Sequence, residues 1–521
     1  MKNNTDNWLY INSLLNTYIK PQRIPHILIF FNLIISLYLA TQLNIWIDES
    51  YSLATTGKDI IYAFNQAIKF ELQPPLYFLI LNIWRSVNHS IIWARLFSVF
   101  CITLTIYLVP KLCQRYLKEI HPAWVMAFVA FNPFIFWAAL EIRVYAFGIL
   151  LSALLLLFFY DGYLTEIPQN KAQIWYVIVA ILSLYTQYYL GFILVANGCV
   201  ILGFKRWLSL RNYIIAMSIV GICFLPMLLY VKSQVSEHTQ SIQINMSLFQ
   251  AIQHLSRKVI ALLFRAEWIP DQQRNNFGFY IVIWSGAIAL GFQTYKNRRL
   301  IINTDIALLI ITFIVSGFFI VLILKIIGEN LHTRYIYLMY LPLVFSLYSI
   351  LKISNFLGRK KTHQFLTIWT VIILIFNFSS LYFTYKPMAK LGDYNRVASY
   401  IIAHEKPNQP ILVFHAELAL PLAYYYFGEN QIVTIPKGQD FIKYDLHDFV
   451  LKNENQIFDA IANTGSDGKN IWLLTDGICN YLDIDFNCNI LDDFINKYYT
   501  EKLQINFYRS SLKFLERKEN Y

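Results

Sequence analysis

Long apolar runs separated by short polar stretches occupy the chain up to about residue 385. A helix needs about 20 apolar residues to cross the hydrocarbon core of a bilayer. Eleven runs approach that length, and each predicts a transmembrane helix. They cover residues 27–46, 91–109, 123–140, 144–160, 174–188, 190–204, 213–230, 277–295, 306–327, 335–351 and 365–385.

After residue 385 the pattern changes to short helical and strand-like segments. Helical spacing of apolar residues occurs at 395–404 and 454–462, and strand-like apolar runs occur at 411–415, 432–435 and 471–475. Alternation of helices and strands is typical of an α/β domain. The sequence therefore predicts a polytopic α-helical membrane domain over residues 1–385 and an α/β domain over residues 386–521.

Lys and Arg are concentrated in alternate loops between the predicted spans. With a cytoplasmic N-terminus, 17 of them fall in inner segments, whereas the short outer loops contain only Arg143 and Arg334. Short cytoplasmic loops of membrane proteins carry such an excess. We therefore expect a multi-pass protein of the inner (plasma) membrane whose N-terminus is cytoplasmic and whose C-terminal domain is extracytoplasmic.

Two outer loops are long, at residues 47–90 and 231–276. The apolar run at 76–84 in the first of them is too short to cross the membrane, and it predicts a helix that lies in the interface. Apolar residues at near-helical spacing in the second loop fit either an interfacial helix or a flexible lid. The pattern does not choose between these two alternatives.

Composition supports a membrane protein and argues against a nucleic-acid partner. Charged residues make up 14% of the chain, against about 25% in a typical soluble domain. Residues 386–521 contain 14 Lys and Arg against 18 Asp and Glu, and the remainder contains 29 against 14. The basic excess is thus confined to the membrane region, where inner loops explain it. We expect contacts with membrane lipids and none with nucleic acid.

Adjacent carboxylates follow the first apolar run, where residues 48–51 read Asp-Glu-Ser-Tyr. Residues 73–77 then read Gln-Pro-Pro-Leu-Tyr. On position alone, the acidic pair is equally explained as charges that mark the membrane interface. Both motifs together resemble the first outer loop of the GT-C glycosyltransferases that use polyprenyl-phosphate sugars, bacterial relatives of the protein O-mannosyltransferases. The family usually has His where this chain has Gln73.

This resemblance implies an inverting membrane glycosyltransferase that takes a sugar from a polyprenyl-phosphate donor. The acceptor would be a lipid, a glycan or a protein outside the cytoplasmic membrane. Glycosyl transfer to a hydroxyl needs a base that accepts its proton, and the resemblance assigns this role to Asp48. Glu49 receives no separate role: it either orients a loop residue or faces solvent.

Further motifs of the same family occur in order along the chain. Residues 95–98 read Arg-Leu-Phe-Ser, residues 141–145 read Glu-Ile-Arg-Val-Tyr, and an Arg-Tyr pair begins the tenth predicted span. The resemblance implies that the substrate-binding residues are Glu49, Tyr51, Gln73, Arg95, Glu141, Arg143, Tyr145, His332, Arg334 and Tyr335. Arg143 and Arg334 would hold the donor phosphate, since the guanidinium fork matches phosphate oxygens.

Structural explanations exist for several of these residues. Glu141 and Arg143 also fit a local charge pair at a helix end. Arg95 also fits an arginine that snorkels to the interface from a helix end. A lipid-linked saccharide transporter or flippase is the alternative function, but such proteins place charges near the bilayer midplane on broken helices. An inactive binding or scaffold protein is the third possibility.

Cysteine and histidine spacing predicts no metal site. We expect no cofactor, and the sequence does not support a divalent cation. Cys101, Cys113, Cys199 and Cys223 lie in or beside apolar segments, whereas Cys479 and Cys488 lie in the polar C-terminal part. In an oxidising compartment this last pair would form a disulfide, although the sequence fits an unpaired state equally well.

Overall fold

The computed structural model describes residues 23–118, 120–239, 247–263, 303–322, 333–353, 358–438, 441–442, 445–481 and 484–519. Helices dominate up to Tyr385, and strands appear only after it in this described part of the chain. The α-helices are α1 Ile24–Gln42, α2 Ile47–Thr55, α3 Ile60–Lys69, α4 Leu76–Arg85, α5 Ile91–Tyr116, α6 Pro122–Ala130, α7 Pro133–Leu140, α8 Tyr145–Phe159, α9 Asn170–Thr186, α10 Gly191–Gly203, α11 Trp207–Thr239, α12 Leu248–Leu263, α13 Asn303–Leu322, α14 Tyr340–Ile353, α15 Gly358–Tyr385, α16 Tyr394–His404, α17 Ala419–Ala423, α18 Asn455–Ala462 and α19 Cys488–Tyr498.

Backbone contacts divide the described residues into two compact units. The first unit contains the residues up to Ala40, the segment Gln73–Tyr77 and the residues from Ile92 to Thr384. The second unit contains Thr41–Leu72, Phe78–Ile91 and the residues from Tyr385 onward. Most of the first long loop therefore folds with the C-terminal part of the chain. The domain boundary at residue 385 stays a prediction.

Four described helical segments of the first unit are long and apolar enough to cross a membrane. They are Ile24–Gln42, Ile91–Tyr116, Tyr145–Leu164 and Trp207–Val231. α9 and α10 are separate helices, as the two short runs at 174–188 and 190–204 predict. The run at 277–295 lies outside the described residues, so the count of eleven spans stays a prediction. The predicted fold class, a helical membrane protein with a C-terminal α/β region, is confirmed.

The predicted span at 123–140 is not one straight helix. It consists of α6 and α7, which meet at an angle of 54°. Asn132 caps α7, because its side-chain oxygen accepts a hydrogen bond from the backbone N–H of Phe134 at 2.8 Å. Pro133 occupies the first turn of α7, a position where its missing N–H costs nothing. Because both helices are apolar, a hydropathy pattern predicts one continuous span here and gives no sign of the break.

Two short helices follow α2 in the first long loop. Asp59 caps α3 by accepting hydrogen bonds from the backbone N–H groups of Ile61 and Tyr62, at 3.0 and 2.9 Å. α4 has ten residues, which makes it about 15 Å long at about 1.5 Å per residue. Hydrocarbon is about 30 Å thick. α4 is therefore too short to cross it, and its place in the interface stays a prediction.

The C-terminal part of the second unit is built on a mixed five-stranded sheet. Its strands are β1 Ile411–Phe414, β2 Ile432–Thr434, β3 Asn470–Thr475, β6 Tyr499–Phe507 and β7 Ser510–Arg517, in the spatial order β2-β1-β3-β7-β6. β4 Asn480–Tyr481 and β5 Ile484–Asp485 form a separate two-stranded ribbon. β1 pairs in parallel with β2 and β3, and β7 pairs antiparallel with β3 and β6.

Apolar cores cover both faces of this sheet. α16 and α17 pack on one face through residues such as Val397 and Leu422. α18 and α19 cover the other face through residues such as Ile457 and Phe494. Strands β1 and β3 are almost entirely buried between these layers, as expected for parallel strands that are covered on both sides. The α/β prediction for this part of the chain is confirmed.

A disulfide joins Cys479 and Cys488 and encloses the β4–β5 ribbon. Disulfides that close loops of this length stabilise folded proteins by about 2–3 kcal/mol. We therefore expect Cys488→Ser to lower the temperature of thermal unfolding of the full-length protein. Mass spectrometry of a non-reduced digest should find the two peptides linked, and finding both thiols free would contradict the pairing.

Candidate active site

The two adjacent carboxylates lie in the first turn of α2 and have different surroundings. The Glu49 carboxylate accepts a hydrogen bond from the backbone N–H of Trp46 at 3.3 Å, which satisfies one of the open donors at the start of the helix. Successive helical residues point about 100° apart. Asp48 is accordingly half-buried, whereas Glu49 has no exposed surface.

Glu49 forms a buried ion pair with a residue of the C-terminal part of the second unit. Lys390 Nζ lies 2.8 Å from Glu49 Oε1, and the two side chains are 7% and 0% exposed. A buried charge is costly without a partner. The pairing of the two charges therefore explains why both can be buried. Glu49 does not face solvent, which removes one of the two sequence-based alternatives for this residue.

Backbone hydrogen bonds hold Lys390 beside the same helix. Asn44 accepts a hydrogen bond from the Lys390 N–H at 2.9 Å and donates to the Gly392 carbonyl at 2.7 Å. Gly392 has φ +94°, and a Cβ there would lie 2.5 Å from the Tyr394 ring, so this position requires glycine. Tyr425 Oη accepts a hydrogen bond from the Ile45 N–H at 2.7 Å.

Tyr51, the fourth residue of the Asp-Glu-Ser-Tyr motif, is buried within the second unit. Its hydroxyl donates to Glu417 Oε1 at 3.0 Å. Its ring makes edge contacts with Phe70 and Phe441, at centroid distances of 5.2 and 6.2 Å. Residues of the loop and of the C-terminal part together enclose the inner face of α2.

Arg85 holds the opposite end of α2. Its Nη1 donates to the Leu53 carbonyl and to Thr56 Oγ1, both at 2.6 Å. A cation is favourable near a helix C-terminus, where the carbonyl groups leave partial negative charge. Burial raises the pKa of the nearby Tyr424, and the Arg85 charge acts in the opposite direction. Tyr424 therefore stays neutral at physiological pH.

Burial and neighbouring carboxylates likewise keep Tyr394 neutral. Burial raises the pKa of Tyr394 far above its usual value, and the charges of Asp476 and Glu417 raise it further. His415 lies near one of these acidic residues, with its Nδ1 3.4 Å from Asp476 Oδ1. This arrangement belongs to the end of the parallel strands β1 and β3.

In the first unit, α5 carries the Arg-Leu-Phe-Ser motif and contacts the Glu-Ile-Arg-Val-Tyr motif. Arg95 Nη1 donates to the Ala40 carbonyl at 2.8 Å, near the end of α1. One turn later Ser98 Oγ donates to the Glu141 carbonyl at 2.6 Å. Arg95 is fully buried, so it does not snorkel to an interface. The Arg-Leu-Phe-Ser motif thus fixes two helix ends.

The Glu-Ile-Arg-Val-Tyr motif lies between α7 and α8 and packs against the Arg-Tyr segment. Glu141, Arg143 and Tyr145 are all buried. The Tyr145 ring lies 4.8 Å from Trp137 and 6.0 Å from Tyr337, measured between ring centroids. Tyr337 belongs to the 3₁₀-helical segment Thr333–Met339, which also contains Arg334 and Tyr335.

Arg334 and Tyr335 begin that 3₁₀ segment, and both are half-buried. The Arg334 guanidinium lies over the Tyr335 ring, 5.3 Å from its centroid. Close approach of the segment to α8 requires Gly148, because a Cβ there would lie 2.3 Å from the Tyr337 side chain. The first unit therefore places the Arg-Tyr motif against the helix that starts at Tyr145.

Gln73 is also part of the first unit. Tyr77, four residues later, is buried, and its ring centroid lies 6.1 Å from that of Phe97 on α5. Phe97 in turn lies 5.8 Å from Phe147 on α8. The Gln-Pro-Pro-Leu-Tyr segment thus packs on α5, the helix that carries Arg95, and Phe97 links it to α8.

Two remaining predictions concern His332 and a metal site. His332 lies outside the described residues. Among the residues that the structure does describe, no three His, Cys, Asp or Glu side chains come together as a metal site.

Four residues that contact the candidate site belong to none of the sequence motifs: Lys390, Arg85, Glu417 and Asn44. Each is an isolated polar residue outside a recognisable motif. The available signal for Lys390 was its position soon after the last apolar run, since a buried Glu needs a cationic partner. The signal is weak because the chain has 43 Lys and Arg residues.

Comparison with solved structures gives the fold its wider context. ArnT from Cupriavidus metallidurans in the apo state superposes with a TM-score of 0.56 at 11% sequence identity, covering 94% of this chain and 97% of ArnT. The structure of the same enzyme bound to undecaprenyl phosphate gives a TM-score of 0.54 with equal identity and coverage. ArnT is a GT-C glycosyltransferase. This chain has the GT-C fold.

The likeness to ArnT extends over almost the whole of both chains, including the C-terminal α/β part. No protein-family model and no curated protein matches the chain. The GT-C resemblance of the sequence motifs is therefore confirmed at the level of the fold. Together with the long apolar helices, this fold identifies an integral membrane protein.

Proposed function

We propose that this protein is an inverting membrane glycosyltransferase that uses a polyprenyl-phosphate-linked sugar. The observation that carries the proposal is the structural likeness to ArnT over 94% of the chain. One of the two ArnT structures is a complex with undecaprenyl phosphate. The ordered Asp-Glu-Ser-Tyr, Glu-Ile-Arg-Val-Tyr and Arg-Tyr motifs support the same reaction class. A lipid, a glycan or a protein outside the cytoplasmic membrane is the acceptor.

Asp48 is the catalytic base in this proposal. Its half-buried carboxylate lies on an anchored helix, next to the fully buried Glu49. Asp48 accepts the proton of the acceptor hydroxyl while the hydroxyl oxygen attacks the anomeric carbon. The bond between that carbon and the phosphate oxygen breaks on the opposite face, and polyprenyl phosphate leaves with the electron pair. Attack from the opposite face inverts the anomeric configuration.

Arg143 and Arg334 hold the donor phosphate and offset the charge that develops on it. Charge-assisted hydrogen bonds from arginine to phosphate are strong and can be bidentate. The proposed substrate contacts are completed by Glu141, Tyr145, Tyr335, Gln73 and His332. Arg95 supports the site through its contact with the end of α1. Tyr51 and Glu49 act through their contacts to Glu417 and Lys390.

A donor panel tests the proposed reaction. The purified protein in lipid nanodiscs would be incubated with polyprenyl-phosphate sugars, with and without an envelope acceptor fraction. Release of free polyprenyl phosphate that requires the acceptor supports glycosyl transfer. Movement of intact donor across a vesicle membrane, without cleavage of the sugar–phosphate bond, would instead establish the flippase alternative.

An extracytoplasmic C-terminal domain is part of the proposal. It rests on the distribution of Lys and Arg, and the disulfide between Cys479 and Cys488 fits an oxidising compartment. Ser399 is exposed on α16, so we expect Ser399→Cys to react with a membrane-impermeant thiol reagent in intact spheroplasts. The background would lack Cys101, Cys113, Cys199 and Cys223 but keep the disulfide. Labelling only after the membrane is broken would overturn this orientation.

A further inference from the structure

The ion pair between Glu49 and Lys390 fixes the direction of the neighbouring carboxylate. Glu49 and Asp48 are consecutive on α2, so a rotation of the helix that breaks the contact with Lys390 also turns Asp48. At 2.8 Å the pair is in direct contact, and its two side chains are almost completely excluded from solvent. A movement of α2 that separates these two side chains would therefore break a buried ion pair, which is costly.

Lys390 is itself held in place by hydrogen bonds of the backbone around it to Asn44. Its backbone N–H donates to Asn44, and the Gly392 carbonyl accepts from the same Asn44 side chain. Asn44 lies just before α2, four residues before Asp48. The cation that fixes Glu49 is thus tied by its backbone to the chain segment that enters α2.

Buried ion pairs in proteins contribute little net stability, because desolvation offsets much of their attraction. Their best-supported role is to specify one geometry among several. The Glu49–Lys390 pair has the properties of such a device. It also joins the loop that carries the proposed base to the C-terminal part of the second unit.

We propose that Lys390 is a positioning residue for the glycosyl transfer and acts on Asp48 through Glu49. This inference rests on the proposed function, in which Asp48 is the base. Lys390 does not contact the substrate in this scheme. It keeps α2 in the rotation at which the Asp48 carboxylate meets the acceptor hydroxyl, and the reaction rate depends on that placement.

Four variants of the full-length protein test the proposal. Lys390→Met keeps the length of the side chain and removes its charge. Displacement of a reacting group by about 1 Å can cost about 10²-fold in rate, so we expect kcat to fall by up to about that factor while the KM for the donor stays nearly constant. Lys390→Arg, which keeps the cation, should restore most of kcat.

The double variant Glu49→Leu with Lys390→Met separates positioning from stability. Replacing a buried ion pair by apolar residues is often neutral or stabilising, so this variant should fold and unfold thermally like the wild type. Its kcat should nevertheless stay low. Wild-type kcat in this folded double variant, or in folded Lys390→Met, would overturn the proposal.

Lys437→Met is the matched control. Lys437 forms an ion pair with Asp448 at 2.9 Å in the same unit, but both side chains are substantially exposed. Exposed pairs of this kind contribute little, so kcat should remain at the wild-type value. An equal fall in kcat for Lys437→Met and Lys390→Met would contradict a specific role for Lys390.

Hydrogen exchange gives a readout that does not depend on turnover. Amides of α2 should exchange faster in Lys390→Met and in the double variant than in the wild type, while those of β3 stay unchanged. Faster exchange with no glycosyl transfer by the wild type would reject the proposed function and leave the anchoring of α2 intact. Unchanged exchange together with unchanged kcat would reject the role of Lys390.

Discussion

Replacing Asp48 by Asn is expected to lower turnover by about 10²–10⁴-fold, the usual contribution of a positioned general base. The change keeps the size of the side chain and removes its ability to take the acceptor proton. Because Asp48 is half-buried and Glu49 carries the buried ion pair, folding and donor binding should persist. Release of polyprenyl phosphate under saturating donor and acceptor measures the effect.

Asp59→Asn is the control for this experiment. Asp59 is an exposed carboxylate in the same loop and caps α3, and Asn is an equally good capping residue. Turnover of this control should match that of the wild type. Near-wild-type turnover in Asp48→Asn would exclude Asp48 as the base.

Glu49→Gln should affect the protein by a different route. It removes the charged carboxylate that pairs with Lys390, and breaking a buried ion pair in this way costs about 3–5 kcal/mol. Thermal unfolding should therefore move to lower temperature in Glu49→Gln and not in Asp48→Asn. Per folded molecule, the loss of turnover should be smaller for Glu49→Gln, and the reverse order would assign the base to Glu49.

Replacing Arg334 or Arg143 by Ala is expected to weaken donor binding. A hydrogen bond to a charged group contributes about 1.5–3 kcal/mol, which corresponds to roughly 10- to 150-fold in the dissociation constant. Calorimetric titration with a polyprenyl-phosphate sugar measures this change. Lys at either position should restore only part of the affinity, because it keeps the charge but lacks the planar fork.

Arg509→Ala provides the comparison, since Arg509 is exposed in the turn between β6 and β7. Its donor affinity should equal that of the wild type. Unchanged affinity in both Arg334→Ala and Arg143→Ala would show that other residues hold the phosphate.

Hydrophobic patterns predict the helices well but not where they end. The run at 27–46 continues past Gln42, the last residue of α1, to Trp46. Asn44 and Ile45 in that extension make hydrogen bonds to Gly392 and Tyr425, and Asn44 lies 348 residues from its partner. Such distant contacts decide where the helix ends within the apolar run. Hydropathy carries no information about these contacts.

Three strands of the C-terminal sheet, β1, β2 and β3, were predictable from the sequence, whereas β6 and β7 were not. β1 and β3 are short, continuous apolar runs, the signature of strands that are covered on both faces. β6 is an edge strand whose residues are mostly exposed, so its sequence contains many polar residues. Its pairing with β7, rather than burial, makes it a strand.

Sequence motifs propose the candidate site residues but do not identify the partners of those residues. Asp48 and Glu49 are adjacent and chemically alike, so the sequence distinguishes them only through a family resemblance. Burial and the contact with Lys390 separate them in the structure. Glu417 and Arg85, which fix Tyr51 and the end of α2, have no motif of their own and required the fold to find them.

The second unit is assembled from segments that the ribosome makes at very different times. Its loop segments end at Ile91, whereas its remaining residues begin only at Tyr385. At translation rates of about 5–20 residues per second, roughly 15–60 s pass between the two. During that interval α2 exists without Lys390, Glu417 or Tyr425 beside it. The helix that carries Asp48 therefore reaches its final environment only after the membrane helices between these segments have been synthesised.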